Sequence, residues 1–287
     1  MKPPPFDYHC PETLDEALAL LAEHGEGAKV LAGGQSLVPM LNLRALHPAV
    51  LIDINRLPGL DRVSLEEGRL RIGALARHRA VLESAAVRAA SPLMAEAYPY
   101  VSHGPIRNRG TLCGNLCHND PASEMPAVAL ASDAEMVLRS ASGTRSVGAG
   151  DFFTGMLSTA ARADELLVEV RVPQAPAGQG AGFHEVSPRK GDFAYVAVGA
   201  TVALKGGTCS GVRIVCAGVG DGPHRARAAE EALEGAAPGD DAFRQAAEAA
   251  TEGLDPAEDF HADAAYRRDL VRSLTRRALA DAASRCH

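Results

Sequence analysis

The 287 residues include no tryptophan, and tyrosine and phenylalanine together make up only 4% of the chain. A core must therefore be built from the Leu, Val, Ile and Ala that are spread along the whole length. No run of about 20 apolar residues occurs, so no segment reads as a membrane span. The six cysteines, Cys10, Cys113, Cys117, Cys209, Cys216 and Cys286, are too few and too irregularly spaced for a disulfide framework, and reduced thiols are expected. Basic residues are outnumbered 29 to 36, and the resulting charge of −7 is opposite in sign to the footprint of a general nucleic-acid binder. The opening Met1-Lys2-Pro3-Pro4-Pro5-Phe6-Asp7 lacks the apolar core of a signal peptide and the Arg-rich character of a transit peptide, so a cytoplasmic location is expected. What remains is 46% hydrophobic and 23% charged, the composition of an ordinary globular protein with room for roughly two or three subdomains.

Thr13-Leu14-Asp15-Glu16 has the form of a capping box, and Leu14, Ala17, Leu18 and Leu21 follow at helical spacing, predicting a helix to about Gly25. Lys29-Val30-Leu31 reads as a strand, Ala32-Gly33-Gly34-Gln35-Ser36 as a glycine turn, and Leu37 to Leu46 as a helix despite Pro39. Val50 to Ile54 is a second buried strand joined through that crossover helix. A further unit begins with the alternating strand Arg69 to Ala74, continues with an Ala-rich helical stretch from about Arg79 to Ala97 and a helix through Met125 to Ala131, and closes with strands Glu135 to Leu138 and Leu166 to Val172. Pro173 to Gly182 reads as a linker or exposed crossing. Beyond it, Phe193 to Leu204 and Val212 to Val219 suggest an antiparallel pair, followed by helices near Ala226 to Glu234, Phe243 to Thr251 and Ala265 to Ala283. Strands followed by helices predict an α+β fold rather than a doubly wound sheet.

Two turns suit an anion. Bringing backbone N–H groups to a pyrophosphate is easiest where no Cβ blocks the approach, and a helix start favours negative charge. Ala32 to Ser36 meets both conditions, although Gly-Gly before Ser serves equally well as a turn feeding a Ser N-cap. Gly110-Thr111-Leu112-Cys113-Gly114-Asn115 repeats the pattern and adds side chains that reach phosphate or ribitol oxygens; read alone, it is also compatible with a plain loop. Asn115 tolerates a left-handed backbone. Two such turns in consecutive units are what a clamp on one pyrophosphate needs.

Lys2-Pro3-Pro4-Pro5-Phe6-Asp7-Tyr8, the run Lys29 to Met40, Ile106-Arg107-Asn108, Thr111 to Asn115 and Asp120 to Pro126 resemble the medium, FAD-binding subunit of molybdenum hydroxylases, a family that includes aerobic carbon monoxide dehydrogenase and xanthine dehydrogenase relatives. Asp151-Phe152-Phe153-x-Gly155, Asp164-Glu165-Leu166-Leu167, Arg189 to Ala194 and Tyr266-Arg267-Arg268 extend the resemblance over nearly the whole chain. It implies a two-subdomain FAD-binding fold of the PCMH/vanillyl-alcohol-oxidase type in residues 1–57 and 58–175, with a C-terminal α+β domain of antiparallel sheet and helices in residues 176–287. The implied FAD contacts are Ala32, Gly33, Gly34, Gln35, Ser36 and Leu37 on one side of the pyrophosphate and Thr111, Gly114 and Asn115 on the other. By the same resemblance Val101 lies near the isoalloxazine, Glu124 near ribose or ribitol hydroxyls and Leu167 against a ring face. His118, where Ala-His-Ala is frequent in place of Cys117-His118-Asn119, and His184, where relatives often carry a polar or basic residue, complete the set. Cys113 departs from the usual Gly and places a Cβ in a turn that prefers none.

The resemblance further implies a molybdopterin-binding large subunit and a [2Fe–2S] small subunit as partners, two copies of each of three subunits, with electrons passing through FAD to quinone, oxygen or NAD. Its rivals are a stand-alone flavin reductase or oxidase of the UDP-N-acetylmuramate reductase type and a scaffold that has lost flavin. Cys113-x3-Cys117-His118 with Asp120 invites a metal reading, but the spacing fits no common zinc or iron–sulfur run, and two small buried thiols are expected. Val212 to Pro223 resembles a strand feeding a Gly-rich loop, yet its third glycine is out of register for a nicotinamide fingerprint. The last helix carries Arg267, Arg268, Arg272, Arg276 and Arg277 beside Tyr266, Leu270, Leu274 and Ala278, read as a solvated basic face above a packed stripe or as a docking surface for an acidic partner. Most of the ten histidines are expected at the surface, and no Ser-His-Asp or paired-carboxylate catalytic set is predicted.

Overall fold

A computed structural model describes residues 2–287. Strand β1 (Asp7–His9) leads into helix α1 (Leu14–His24), whose start is closed by the expected box: the Thr13 hydroxyl accepts from the Glu16 amide and the Glu16 carboxylate accepts from the Thr13 amide. Strand β2 (Ala28–Leu31), helix α2 (Leu37–Asn42) and strand β3 (Val50–Asp53) then form the parallel crossover, giving a sheet in the order β1-β3-β2. Helix α2 stops short of Leu46 because Arg44 turns left-handed at φ 56°. Ala17, Leu18 and Leu21 of α1 pack with Val50 and Ile52, and Ala74, Leu75 and Leu166 of the following unit close the same core.

That unit is a five-stranded antiparallel sheet. Strands β4 (Val63–Glu66) and β5 (Arg69–Gly73) form a hairpin whose turn residues Glu67 and Gly68 both have positive φ, as a tight two-residue connection requires. The Ala-rich stretch is three short helices, α3 (His78–Glu83), α4 (Ala85–Ala90) and α5 (Pro92–Ala97), rather than one. Ser84 breaks it by capping the Val87 amide, and Pro92 breaks it again by taking the first position of a new helix. Helices α6 (Gly104–Arg107), α7 (Leu112–His118) and α8 (Glu124–Ala131) follow. Next come strands β6 (Glu135–Ser140) and β7 (Gly143–Gly148), helix α9 (Ala149–Phe152), a small hairpin of β8 (Phe153–Gly155) and β9 (Ser158–Thr159), and strand β10 (Leu166–Pro173). The sheet order is β4-β5-β10-β6-β7.

The third unit is an antiparallel sheet of β11 (Gly180–Val186), β12 (Val196–Lys205), β13 (Thr208–Ala217) and β14 (His224–Arg225), covered by α10 (Arg227–Leu233), α11 (Asp240–Ala249) and α12 (Ala264–Ser284). The predicted pair is β12 and β13, but the first strand starts at Val196 and leaves Phe193 60% exposed ahead of it. The presumed linker ends inside β11. Gly180 and Gly182 are packing glycines: a Cβ on either would strike the Ala282 or Ala278 carbonyl oxygen of α12. Val196, Val198, Ala200 and Val202 face the helices, whereas Ala197, Phe183 and Val215 join the core of the second unit on the other side. With both sides covered, β12 reads as a continuous apolar run instead of an alternating one.

Helix α12 corrects a further expectation. Its packed stripe is Val271, Leu274, Thr275, Ala278, Leu279 and Ala282, while Tyr266 is 44% exposed. Arg267 is buried, donating to the Tyr195 and Gly218 carbonyls and paired with Asp259 at 2.6 Å. Arg272 and Arg276 pair with Glu248 and Asp240 of α11, so much of the basic face is neutralised within the chain. Among the described residues no helix is long and apolar enough to cross a membrane.

Candidate functional site

The first glycine turn lies at the carboxyl ends of the parallel strands β2 and β3, where open α/β sheets place their ligands. Among the described residues none accepts a hydrogen bond from the backbone amides of residues 33–37, and the Ser36 side chain does not cap α2. Of these five unpaired donors, those of Gly33, Gly34 and Gln35 belong to residues that line the adjacent cleft, whereas Ser36 and Leu37 do not line it. Gly34 has φ +70°, a conformation that L side chains rarely adopt, which explains the glycine by backbone geometry.

The second turn comes to the first. A Cβ on Gly33 would collide with the Arg109 carbonyl oxygen and lie 2.6 Å from Gly110 Cα, so the two bends touch backbone to backbone. Beside this contact is a cleft of about 360 Å³ lined by Ala32, Gly33, Gly34 and Gln35 with Val38, Asp53, Asn55 and Arg109. Past Gly110 the chain is helical rather than looped. Thr111 caps α7 by accepting from the Gly114 amide at 3.1 Å, and Gly114 and Asn115 occupy its first turn. The left-handed residue is Asn119, at φ 47°, and not Asn115. Asn115 Nδ2 donates to Ser123 Oγ at 3.0 Å, while its Oδ1 is buried with no partner.

The remaining expected contacts spread out from these turns. Val101 and Leu167 are buried in the core of the second unit with Leu112. His118 ends α7, half-buried, and burial pulls its pKa down against the pull of Asp120. Glu124 opens α8 at 7% exposure, and burial raises its pKa to about 7. His184 lies on the side of β11 that meets α12, with Nε2 3.1 Å from Asp281 Oδ2. Its neighbour Glu185 faces the other side, as strand alternation requires, where Phe183 packs on Tyr100. Burial, then the nearby Glu124, raises Glu185 to about 8, and both its carboxylate oxygens are buried without partners.

Cys113 and Cys117 share α7 but not an environment. Cys113 is buried, with Sγ 3.8 Å from the Ile72 carbonyl, whereas Cys117 is exposed as a residue although the surrounding protein desolvates its thiol and raises its pKa to about 12. Among the described residues no group of three or more His, Cys, Asp and Glu side chains is placed to hold a metal ion.

Several residues of the site are not among the expected contacts. Asp53, Asn55, Arg77 and Arg109 surround the junction of the turns. Burial pushes the Asp53 carboxyl up, but hydrogen bonds from Tyr8 and Asn55 outweigh it and leave its pKa below the ordinary value. His78 alone among the ten histidines is buried, beneath Gly110, and desolvation lowers its pKa to about 4. The position of Asp53 and Asn55 at a parallel-strand end was a usable signal; nothing local marks Arg77 or His78.

Residues 4–175 match the family described as the FAD binding domain in molybdopterin dehydrogenase, and residues 181–282 match the CO dehydrogenase flavoprotein C-terminal domain. The chain is 41% identical over 286 residues to the 6-hydroxypseudooxynicotine dehydrogenase complex subunit alpha of Paenarthrobacter nicotinovorans, covering 99% of this chain and 97% of that one. It is 37% identical to the carbon monoxide dehydrogenase medium chain of Hydrogenophaga pseudoflava, with 100% of both covered. A chain of the solved carbon monoxide dehydrogenase from that organism superimposes with a TM-score of 0.97 at 40% identity, 100% of each chain being covered. With an FAD-binding domain, a flavoprotein C-terminal domain and dehydrogenase subunits as full-length relatives, the chain belongs to the FAD-binding medium subunits of the molybdenum hydroxylases, a family of oxidoreductases.

Proposed function

We propose that this subunit carries electrons from the [2Fe–2S] clusters of a small partner, through its FAD, to an external acceptor, while a molybdopterin-binding large partner oxidises the substrate. The observation that carries the reading is the backbone contact between the two turns at Gly33 and Arg109, beside a cleft and a row of free amides. These features fit a pyrophosphate: the amides of residues 33–35, which line the cleft, would hold its oxygens from one side, with the second turn at Arg109 facing them from the other. The unpartnered Asn115 Oδ1 fits a ribityl hydroxyl donor, and Glu124, its pKa raised by burial to about 7, would donate to or accept from a sugar hydroxyl. Val101 and Leu167 would supply apolar contact to the ring system. FAD, when bound, takes up and releases electrons singly or in pairs, which suits the last step of such a chain.

The three larger sheets support a division into residues 1–57, 58–175 and 176–287, and the two matched family regions fall on either side of its second boundary. The names of the relatives, a complex subunit and a medium chain, support a heteromeric assembly, for which we propose two copies of each of three subunits in the cytoplasm. Purification with the neighbouring gene products tests the reading. The expected result is one FAD per chain by visible absorption, bleached by the complex's substrate and restored by an electron acceptor. A colourless complex after FAD reconstitution refutes it, and bleaching by a substrate without the partners favours a self-sufficient flavoenzyme instead.

A further inference from the structure

We infer that Arg77, which lies in neither glycine turn, is the positioning residue that fixes the spacing between them and thereby the affinity for the diphosphate half of the dinucleotide. This rests on the FAD reading above. Arg77 sits between β5 and α3, and its guanidinium fork ends on two fixed acceptors: Nη1 donates to the Arg109 carbonyl at 2.5 Å and Nη2 to Asn55 Oδ1 at 2.6 Å. Asn55 passes the connection on, since its Nδ2 donates to the Ala32 carbonyl at 2.8 Å. Asn55 is itself held by Asp53, whose Oδ1 accepts from Asn55 N at 2.9 Å and from Nδ2 at 2.6 Å, while Asp53 Oδ2 accepts from the Tyr8 hydroxyl at 2.6 Å.

The hydrogen-bonded path thus begins on one turn and ends on the other. Its first carbonyl, Arg109, is the atom that a Cβ on Gly33 would strike, and its last, Ala32, immediately precedes Gly33. Arg77 holds the second turn against the first without lining the cleft, whereas Arg109 lines it. The Asn55 amide works in one orientation only, oxygen toward Arg77 and nitrogen toward Ala32. A guanidinium suits the position because a planar fork reaches two acceptors at once; an ammonium is a single point donor.

The test titrates FAD, ADP and riboflavin against the deflavinated full chain, and against the deflavinated complex it purifies with. ADP reports the diphosphate half and riboflavin the ring half. Arg77→Met is expected to weaken FAD and ADP by about tenfold or more, the loss of charge-assisted hydrogen bonds, while leaving riboflavin unchanged. Arg77→Lys should recover part of the loss, and adding Asn55→Ala to Arg77→Met should add little, because both cut one path. Unchanged ADP affinity overturns the inference, as does an equal weakening of ADP and riboflavin that tracks a fall in apoprotein melting temperature. If Arg77→Met does not fold, Arg77→Lys carries the test: a selective loss of ADP and FAD supports the inference and wild-type affinity overturns it. Failure of the wild-type chain and complex to bind FAD at all would instead overturn the functional reading.

Discussion

Gly34 and Asn115 are both expected FAD contacts, and the structure gives each a different physical reason. At Gly34 the constraint is backbone: φ is +70°, and an added Cβ would also lie 3.1 Å from Leu31 Cδ1 and Val38 Cγ2. Gly34→Val is therefore expected to abolish FAD retention by re-forming the turn, not only by filling ligand space; normal flavin stoichiometry in that variant would contradict it. Asn115→Ala removes the unpartnered Oδ1 and the bond to Ser123. It should weaken FAD by about 1–3 kcal/mol, measured by fluorescence titration, with wild-type affinity removing Asn115 from the site. Gly33 was legible as part of a Gly-Gly pair, but its reason, close approach to the Arg109 carbonyl, lies 76 residues away in the chain and was not.

At the scale of elements, helix starts were the most readable features. Thr13 and Glu16 close their box as spelled, because capping is settled within four residues. Ala-rich composition said less, since alanine fits one long helix or three short ones, and Ser84 and Pro92 decided between them. Strand β11 was hidden for another reason: Gly180 and Gly182 carry the signature of a loop, yet they let α12 rest its carbonyls on the strand. Gly182→Ala forces strand and helix apart and is expected to destabilise the chain by about 1–3 kcal/mol in denaturant unfolding. Its FAD affinity should be retained at low denaturant; a neutral effect on stability would show that the helix gives way.

Over the whole molecule, buried acids and a buried imidazole set opposing pH dependences. Glu124 on α8 and Glu185 on β11 belong to different units, and burial raises them to about 7 and about 8. The native state then holds protons that the unfolded chain has released, so stability is highest below the ordinary carboxylate range and falls as pH rises toward 8. His78, lowered to about 4, acts the other way: the unfolded chain takes up a proton the native state refuses, and stability falls as pH drops from 6.5 through 4. Above pH 6.5 the imidazole effect fades and the carboxyl effect dominates. Glu185→Gln should therefore flatten the decline in apoprotein melting temperature between about pH 6.5 and 8, and an undiminished slope would assign it to other groups.

The sequence by itself determined the glycine turns, their order along the chain, the α+β class and the family. Each of these is written in neighbouring residues, where backbone permissiveness, capping and periodicity act within a few positions. Only the tertiary structure decided that the turns meet, that Arg77 and Asn55 hold them together, and that Glu124 and Glu185 lie near one another. Those pairings join segments distant in the chain, and a single donor or acceptor there has no period and no flanking signal. It acquires a partner only when packing brings one within hydrogen-bonding reach.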